Sequence, residues 1–369
     1  MASLTLIAEP FPDWEAQVQQ AAARDLVVAL GAMAPRSCSA RFLIAKGSPE
    51  IPFASAKIQT EQLPLRASLL PLLWQSGTTS RPLDGEFVHS LTPMLPIRAR
   101  DEDDGSQTSV TIPHSIAWEA PELMGASQAR LYRGYVRRAI KHADVLITTT
   151  HATARAVHSK YGDHIPVQVM QLAPPTDFLP GDDAAARRAE LSLPELYSVT
   201  TAMPGELGRL EWLFDALRLN PTLPPLVVVA GLDPLPGVRD ANIPTVRVPD
   251  DLQHRVTVVR ARELADVGAI LDGAALLLQP QAYTGTGYTL LAALATGVPV
   301  LHSGHDVAAE IVLDAGVEAT DAGTFSAEFG RLFRDLEELH RLSVYALDHS
   351  RGFTWASTAW QLWEAHANL

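Results

Sequence analysis

Residues 276–303 read LLLQPQAYTGTGYTLLAALATGVPVLHS, and their spacing suits the binding of an anion. A short apolar run meets Pro280, then a turn carrying Gly285 and Gly287, then Leu290, Leu291, Leu294 and Ala295 at helical spacing. Glycines between a strand and a helix let backbone come close to a ligand, and the first N–H groups of the helix favour negative charge. A phosphate is the expected occupant. Thr284, Thr286, Tyr288 and Thr289 belong to the same turn; they present hydroxyls to a ligand or serve as turn and capping residues. His302 and His305 follow the next strand, but a metal needs further ligands at fixed spacing, so none is expected. A second feature is cationic: Arg130, Arg133, Arg137, Arg138 and Lys141 recur at helical spacing. They read either as a solvated face paired with local acids or as a contact for an anionic membrane or a phosphate-bearing lipid acceptor. Thr150 and His151 mark a strand-to-helix turn, with Thr150 read as its cap. The single cysteine, Cys38, excludes an internal disulfide and is expected to be buried and inert.

These residues need a frame, and hydrophobic patterning supplies one. Strand candidates fall at 4–8, 41–45, 86–90, 110–112, 145–149, 167–172, 197–202, 226–230, 256–259 and 276–278. Helical stretches fall between them at 14–33, 130–142, 150–161, 211–219, 262–273, 308–313 and 324–334. A closing helix runs to Leu369 and carries Trp360 and Trp363, two aromatics expected to dock it on the body of the protein. Residues 51–83 show no clear period, although 69–74 read as buried, and the charged segment 98–107 reads as a mobile loop. Strands alternating with helices indicate parallel sheets. The proline-rich, acidic stretch 173–183 reads as a linker, and 369 residues allow two doubly wound α/β domains. Ligands of such sheets bind at the carboxyl ends of the strands, which places the expected site in a cleft between the domains.

Composition narrows the partners. A chain 47% hydrophobic and 19% charged can bury a sizeable core. A net charge of −13 argues against nucleic acid, which needs a basic face. The N-terminus, MASLTLIAEPFPDW, lacks a basic region before its apolar run and reads as a first strand, not a signal peptide. No apolar run reaches the roughly 20 residues that span a bilayer. A cytoplasmic protein is expected, at most peripheral at the inner face of the membrane.

The chain resembles a family-4 retaining glycosyltransferase of the two-Rossmann-domain (GT-B) type. The carriers in the first half are Val88-His89-Ser90, the segment VTIPHS at 110–115, YRGYVRRA at 132–139, ADVLIT at 143–148, HATAR at 151–155 and LAPP at 172–175. In the second half they are residues 226–231, the glycine turn with Gly297-Val298-Pro299, and Phe353-Thr354-Trp355. The resemblance implies domains at 1–174 and 175–352, with 353–369 packing back on the first. It implies a nucleotide-sugar donor on the second domain, a glycan or lipid-linked acceptor on the first, and no cofactor or metal. His114 corresponds to a histidine that faces the donor sugar; its alternative is a loop or core histidine bonded to backbone. Glu310 lies where a glutamate near the donor is common, or is a surface residue of a helix. Ser115 replaces an aspartate that often follows the histidine.

Two departures weaken the expected donor grip. The glutamates of the family's donor loop are replaced by Thr284 and Ala292, and an alanine side chain accepts no hydrogen bond from a ribose hydroxyl. The Arg and Lys that clamp the diphosphate fall on Leu207 and Gly208, with Arg209 one residue away, about 100° around if that segment were helical. Two functions therefore stay open. One is a metal-independent hexosyltransferase of bacterial envelope polysaccharide synthesis. The other is a catalytically silent glycosyltransferase-like subunit that binds an active partner, a second copy or an acceptor.

Overall fold

The computed structural model describes residues 2–48, 51–76, 87–97, 105–233 and 244–369. The chain divides into two compact units: Met1–Ala173 with Thr354–Leu369, and Pro174–Phe353. Each unit holds one parallel sheet. In the first, β1 (Ala2–Ile7), β2 (Cys38–Ile44), β3 (Ile58–Gln62), β4 (Phe87–Ser90), β5 (Gln107–Ile112), β6 (Val145–Thr148) and β7 (Val167–Val169) lie in the order β3-β2-β1-β4-β5-β6-β7. In the second, β8 (Ser198–Thr201), β9 (Leu226–Leu232), β10 (Val256–Ala261), β11 (Leu276–Gln279), β12 (Val300–His302) and β13 (Gly316–Glu318) lie in the order β10-β9-β8-β11-β12-β13. The strands that read as continuous apolar runs are the fully buried ones: Leu226, Val227 and Val228 on β9 and Leu276, Leu277 and Leu278 on β11 all have 0% exposure. Helix Leu210–Leu219 buries Leu213, Phe214, Ala216 and Leu217, the stripe that period 3.6 predicts, against Phe325 and Phe329.

Several elements escape the periodicity. Strand β3 is a sheet edge with mostly exposed side chains, so residues 58–62 carry no apolar run. In the helix Leu70–Gln75 only Leu70 and Trp74 are buried, while Leu69 and Leu72 are exposed, which corrects the buried reading of 69–74. The mobile-loop reading of 98–107 lies largely outside the described residues, and its last residue opens β5. Cys38 is half-buried at the first position of β2, not enclosed as expected.

The connector does not stay irregular. Helix Ala184–Glu190 follows it, and Arg187 bonds Asp266 Oδ1 at 2.9 Å while Arg262 bonds Asp266 Oδ2 at 2.9 Å. The Arg262 guanidinium holds the Asp266 carboxyl at about 2, well below its usual 3.8. A buried carboxylate is tolerable here because both oxygens meet guanidinium groups.

The last helix, Trp355–Ala367, belongs to the first unit. Thr354 caps it by accepting from Ser357 N at 3.2 Å. Trp363 is buried and donates from Nε1 to Leu30 O at 3.1 Å. Trp360 is 54% exposed, so one aromatic docks the helix and not two. At the far end, His366 Nε2 lies 2.9 Å from Ser109 Oγ, which lies 2.8 Å from His89 Nδ1.

Candidate functional site

In the second unit the chain winds outward from β8 through β9 to β10, and from β11 through β12 to β13. The direction reverses between β8 and β11, and the loops that leave these two strands diverge around the point where ligands of open parallel sheets bind. Both loops carry predicted site residues. Ala282 N donates to Leu207 O at 2.9 Å, Gln281 Nε2 donates to Thr200 Oγ1 at 3.3 Å, and Ser303 Oγ donates to Gln281 O at 2.6 Å. The ends of β8, β11 and β12 are thus tied into one scaffold.

Gly287 closes the glycine turn as the N-cap of helix Tyr288–Ala295. Its φ is +91°, and a Cβ there would stand 2.3 Å from Ile311 Cδ1. The position requires glycine for conformation and for space. Gly287 has no side chain to cap the helix, and a helix N-terminus favours an anion. Gly285, Thr284, Thr286 and Tyr288 are buried and Thr289 half-buried, so this turn is enclosed, not a surface loop. Thr284 Oγ1, Gln281 Oε1 and Gln279 Oε1 are buried and make no hydrogen bond among the described residues. Each such atom costs about 1–3 kcal/mol unless a ligand or water satisfies it. Gly287→Ala is accordingly expected to lower the melting temperature by several degrees and to abolish anion-induced stabilisation, as measured by thermal unfolding with and without a nucleoside diphosphate.

Arg209 stands beside this turn. It is half-buried with φ +50°, ahead of the first turn of helix Leu210–Leu219, so the helical 100° rotation does not apply to it. Its guanidinium lies 4.5 Å above the Trp212 ring, and Nη1 reaches Pro280 O at 3.5 Å. A cation stacked on indole and touching the first residue after β11 is pre-positioned against the glycine turn. Glu310 is half-buried on helix Asp306–Val312, whose Ile311 packs on Gly287. Ala292 is fully buried within helix Tyr288–Ala295. His302 accepts from Gly304 N through Nδ1 at 3.2 Å, and burial lowers its pKa to about 4, which keeps it neutral. Among the described residues, no group of three or more His, Cys, Asp or Glu is placed to hold a metal ion.

In the first unit, His114 follows β5 and is wholly buried. Its ring stacks with both Trp14 and Tyr132, and the Tyr132 hydroxyl donates to His114 O at 3.1 Å. Ser115 turns away and donates to the Glu119 carboxylate. The carboxylate nearest the histidine comes from Asp13, in the loop after β1, a residue that no motif in the sequence marks. Thr150 caps helix His151–Tyr161 by accepting from Thr153 N at 3.1 Å. The basic stripe on helix Ala126–His142 divides: Arg133 donates to Ala117 O at 3.1 Å and Arg138 to Ile97 O, both intramolecular. Arg130, Arg137 and Lys141 remain exposed, and their spacing puts them on one side of the helix. No helix among the described residues is long and apolar enough to cross a membrane.

No family model matches the chain. It is 27% identical over 253 residues to a D-inositol 3-phosphate glycosyltransferase of Corynebacterium urealyticum, covering 62% of this chain and 58% of that protein. It is 29% identical over 257 residues to the protein of the same name from Stackebrandtia nassauensis, covering 62% of this chain and 55% of that one. The chain thus spans little more than half the length of these relatives. Among solved structures it is similar to sucrose-phosphate synthase from Thermosynechococcus elongatus, with TM-score 0.67 and 18% identity over 100% of this chain and 99% of that one. It is also similar to Anabaena HepE in complex with UDP-glucose, with TM-score 0.65 and 14% identity over 100% of both chains. These likenesses show the GT-B fold, two Rossmann-like α/β domains, and a similarity to curated glycosyltransferases.

Proposed function

We propose that the chain is a metal-independent retaining glycosyltransferase. It would move a sugar from a nucleotide-diphosphate donor to a glycan or lipid-linked acceptor in bacterial envelope polysaccharide synthesis. One observation carries this reading: the enclosed glycine turn at the β8/β11 switch, with its uncapped helix N-terminus, orphaned Thr284 hydroxyl and adjacent Arg209. The names of the curated relatives, and the HepE structures with UDP and UDP-glucose, support it.

In this reading the diphosphate lies on the N–H groups of residues 285–289, and Arg209 compensates its charge. Those dipoles stabilise the leaving nucleoside diphosphate as the bond from the anomeric carbon to its oxygen breaks. Thr284 and the amide oxygens of Gln279 and Gln281 stand in for the carboxylates that the turn lacks. His114 bonds a sugar hydroxyl, and Glu310 touches the donor from the helix beside Gly287. Arg130, Arg137 and Lys141 offer an anionic membrane a peripheral contact, which co-sedimentation with phosphatidylglycerol vesicles would detect. Incubation with UDP-, GDP-, ADP- and dTDP-sugars tests the activity; no binding and no turnover of any of them would exclude it.

A second reading has its own observation. Ala292 is fully buried and has no group that could meet a ribose, so a silent subunit that stabilises a partner transferase also accommodates the site. Robust transfer by the isolated chain would rule that reading out.

A further inference from the structure

His114 is held by its surroundings more tightly than its place at the end of a strand requires. Trp14 stacks on the imidazole at 5.4 Å and 26°, and Tyr132 stacks on it at 4.9 Å and 13°. Tyr132 is itself fixed by Phe11 at 5.1 Å and by its bond to the backbone of His114. Two flat neighbours fix the plane of an imidazole but not its rotation within that plane. A charged partner is needed to choose which nitrogen points where.

Asp13 is placed to make that choice. Its Oδ2 lies 3.5 Å from His114 Nε2, and both side chains are 0% exposed. Its other oxygen accepts from Glu15 N at 2.9 Å, which anchors the carboxylate to the turn that leads into helix Ala16–Met33. Neither His114 nitrogen, nor Asp13 Oδ2, makes a hydrogen bond among the described residues. A buried carboxylate with one oxygen unanswered is unstable unless a donor or cation faces it. The imidazole N–H is the group at hand.

We propose that Asp13 is a positioning residue: it holds the proton of His114 on Nε2 and so leaves Nδ1 as the acceptor nitrogen of the ring, with Trp14 and Tyr132 stacked on the imidazole to restrain its tilt. This rests on the reading in which His114 faces the donor sugar. Asp13 touches no substrate itself and acts through the histidine.

Two measurements test it separately from that reading. Protein labelled with 15N-histidine reports the protonated nitrogen directly, with the His114 ring assigned by its loss in His114→Gln. The wild-type ring is expected to carry its proton on Nε2, and Asp13→Asn to change the ring pattern without lowering the melting temperature by more than a few degrees. A wild-type ring protonated on Nδ1 alone, or a pattern identical in wild type and Asp13→Asn, overturns the proposal. Kinetics supplies the second arm, with the sugar nucleotide found active in the donor panel. Asp13→Asn is expected to lower kcat ~10- to 100-fold with little change in KM, with partial recovery in Asp13→Glu, and to cause no further loss once His114 is alanine. Additive losses in the double variant would also overturn it. Undiminished transfer by His114→Ala would instead refute the role assigned to His114 and leave the ring measurement to decide the pairing.

Discussion

Acidification from pH 7 to pH 5 is expected to destabilise the protein through buried histidines that fold neutral. His89 and His366 share the Ser109 hydroxyl at 2.8 and 2.9 Å, and His366 Nδ1 lies 3.2 Å from Gln107 Oε1. Burial lowers His89 from its usual 6.5 to about 3 and His366 to about 4. Both folded values lie below the unfolded value, so the unfolded chain binds the protons first. Their stabilising contribution is complete above about pH 6.5 and declines as pH falls toward 4. At pH 5 the loss is about 2 kcal/mol for each histidine, from 1.36 kcal/mol per unit of pKa difference. Asp144 opposes part of this at His366 by favouring its charged form. The clean measurement compares melting temperatures of wild type and His366→Gln at both pH values, because the acidic net charge affects both alike. The variant is expected to lose less on acidification; an equal loss in both would contradict the neutral, buried role of His366.

Trp363→Ala is expected to have the largest effect on stability among single substitutions in the closing helix. The indole is 6% exposed and its N–H is bonded to Leu30 O, the carbonyl of a residue in helix Ala16–Met33. Removal leaves a large cavity and an unanswered carbonyl, for about 3–5 kcal/mol by the usual cost of core aromatic truncation. That is enough to release a terminal helix held mainly along one face. Trp360→Ala, at 54% exposure three residues earlier, is expected to change stability by less than about 0.5 kcal/mol. Denaturant unfolding of the two variants checks the contrast; equal effects would contradict the one-sided docking of the helix.

The sheets were legible in the sequence because their central strands are buried on both faces and so appear as unbroken apolar runs at β9 and β11. Strands β3 and β13 were not, since their residues are mixed and form no apolar run. The glycine turn was legible because Gly287 must adopt a positive φ against Ile311, a demand that leaves a mark in residue type. Arg209 was legible as a candidate but not as a geometry: its left-handed backbone is adopted by few non-glycine residues and no pattern announces it. Asp13 and Trp14 were invisible, because their relation to His114 crosses about 100 residues of chain and depends on how the β1 and β5 loops converge. The division of the basic stripe was equally hidden. Arg133 and Arg138 are spent on the carbonyls of Ala117 and Ile97, 16 and 41 residues earlier in the chain.

Titration calorimetry with a nucleoside diphosphate tests the donor site most directly. UDP, GDP, ADP and dTDP would each be titrated into wild type, Arg209→Ala and Thr284→Val. At least one is expected to bind the wild type, with affinity reduced ~10- to 100-fold in Arg209→Ala, as loss of a charge-assisted contact implies, and several-fold in Thr284→Val. Binding unchanged by both substitutions, or no binding of any of the four, would contradict a nucleotide site at the glycine turn.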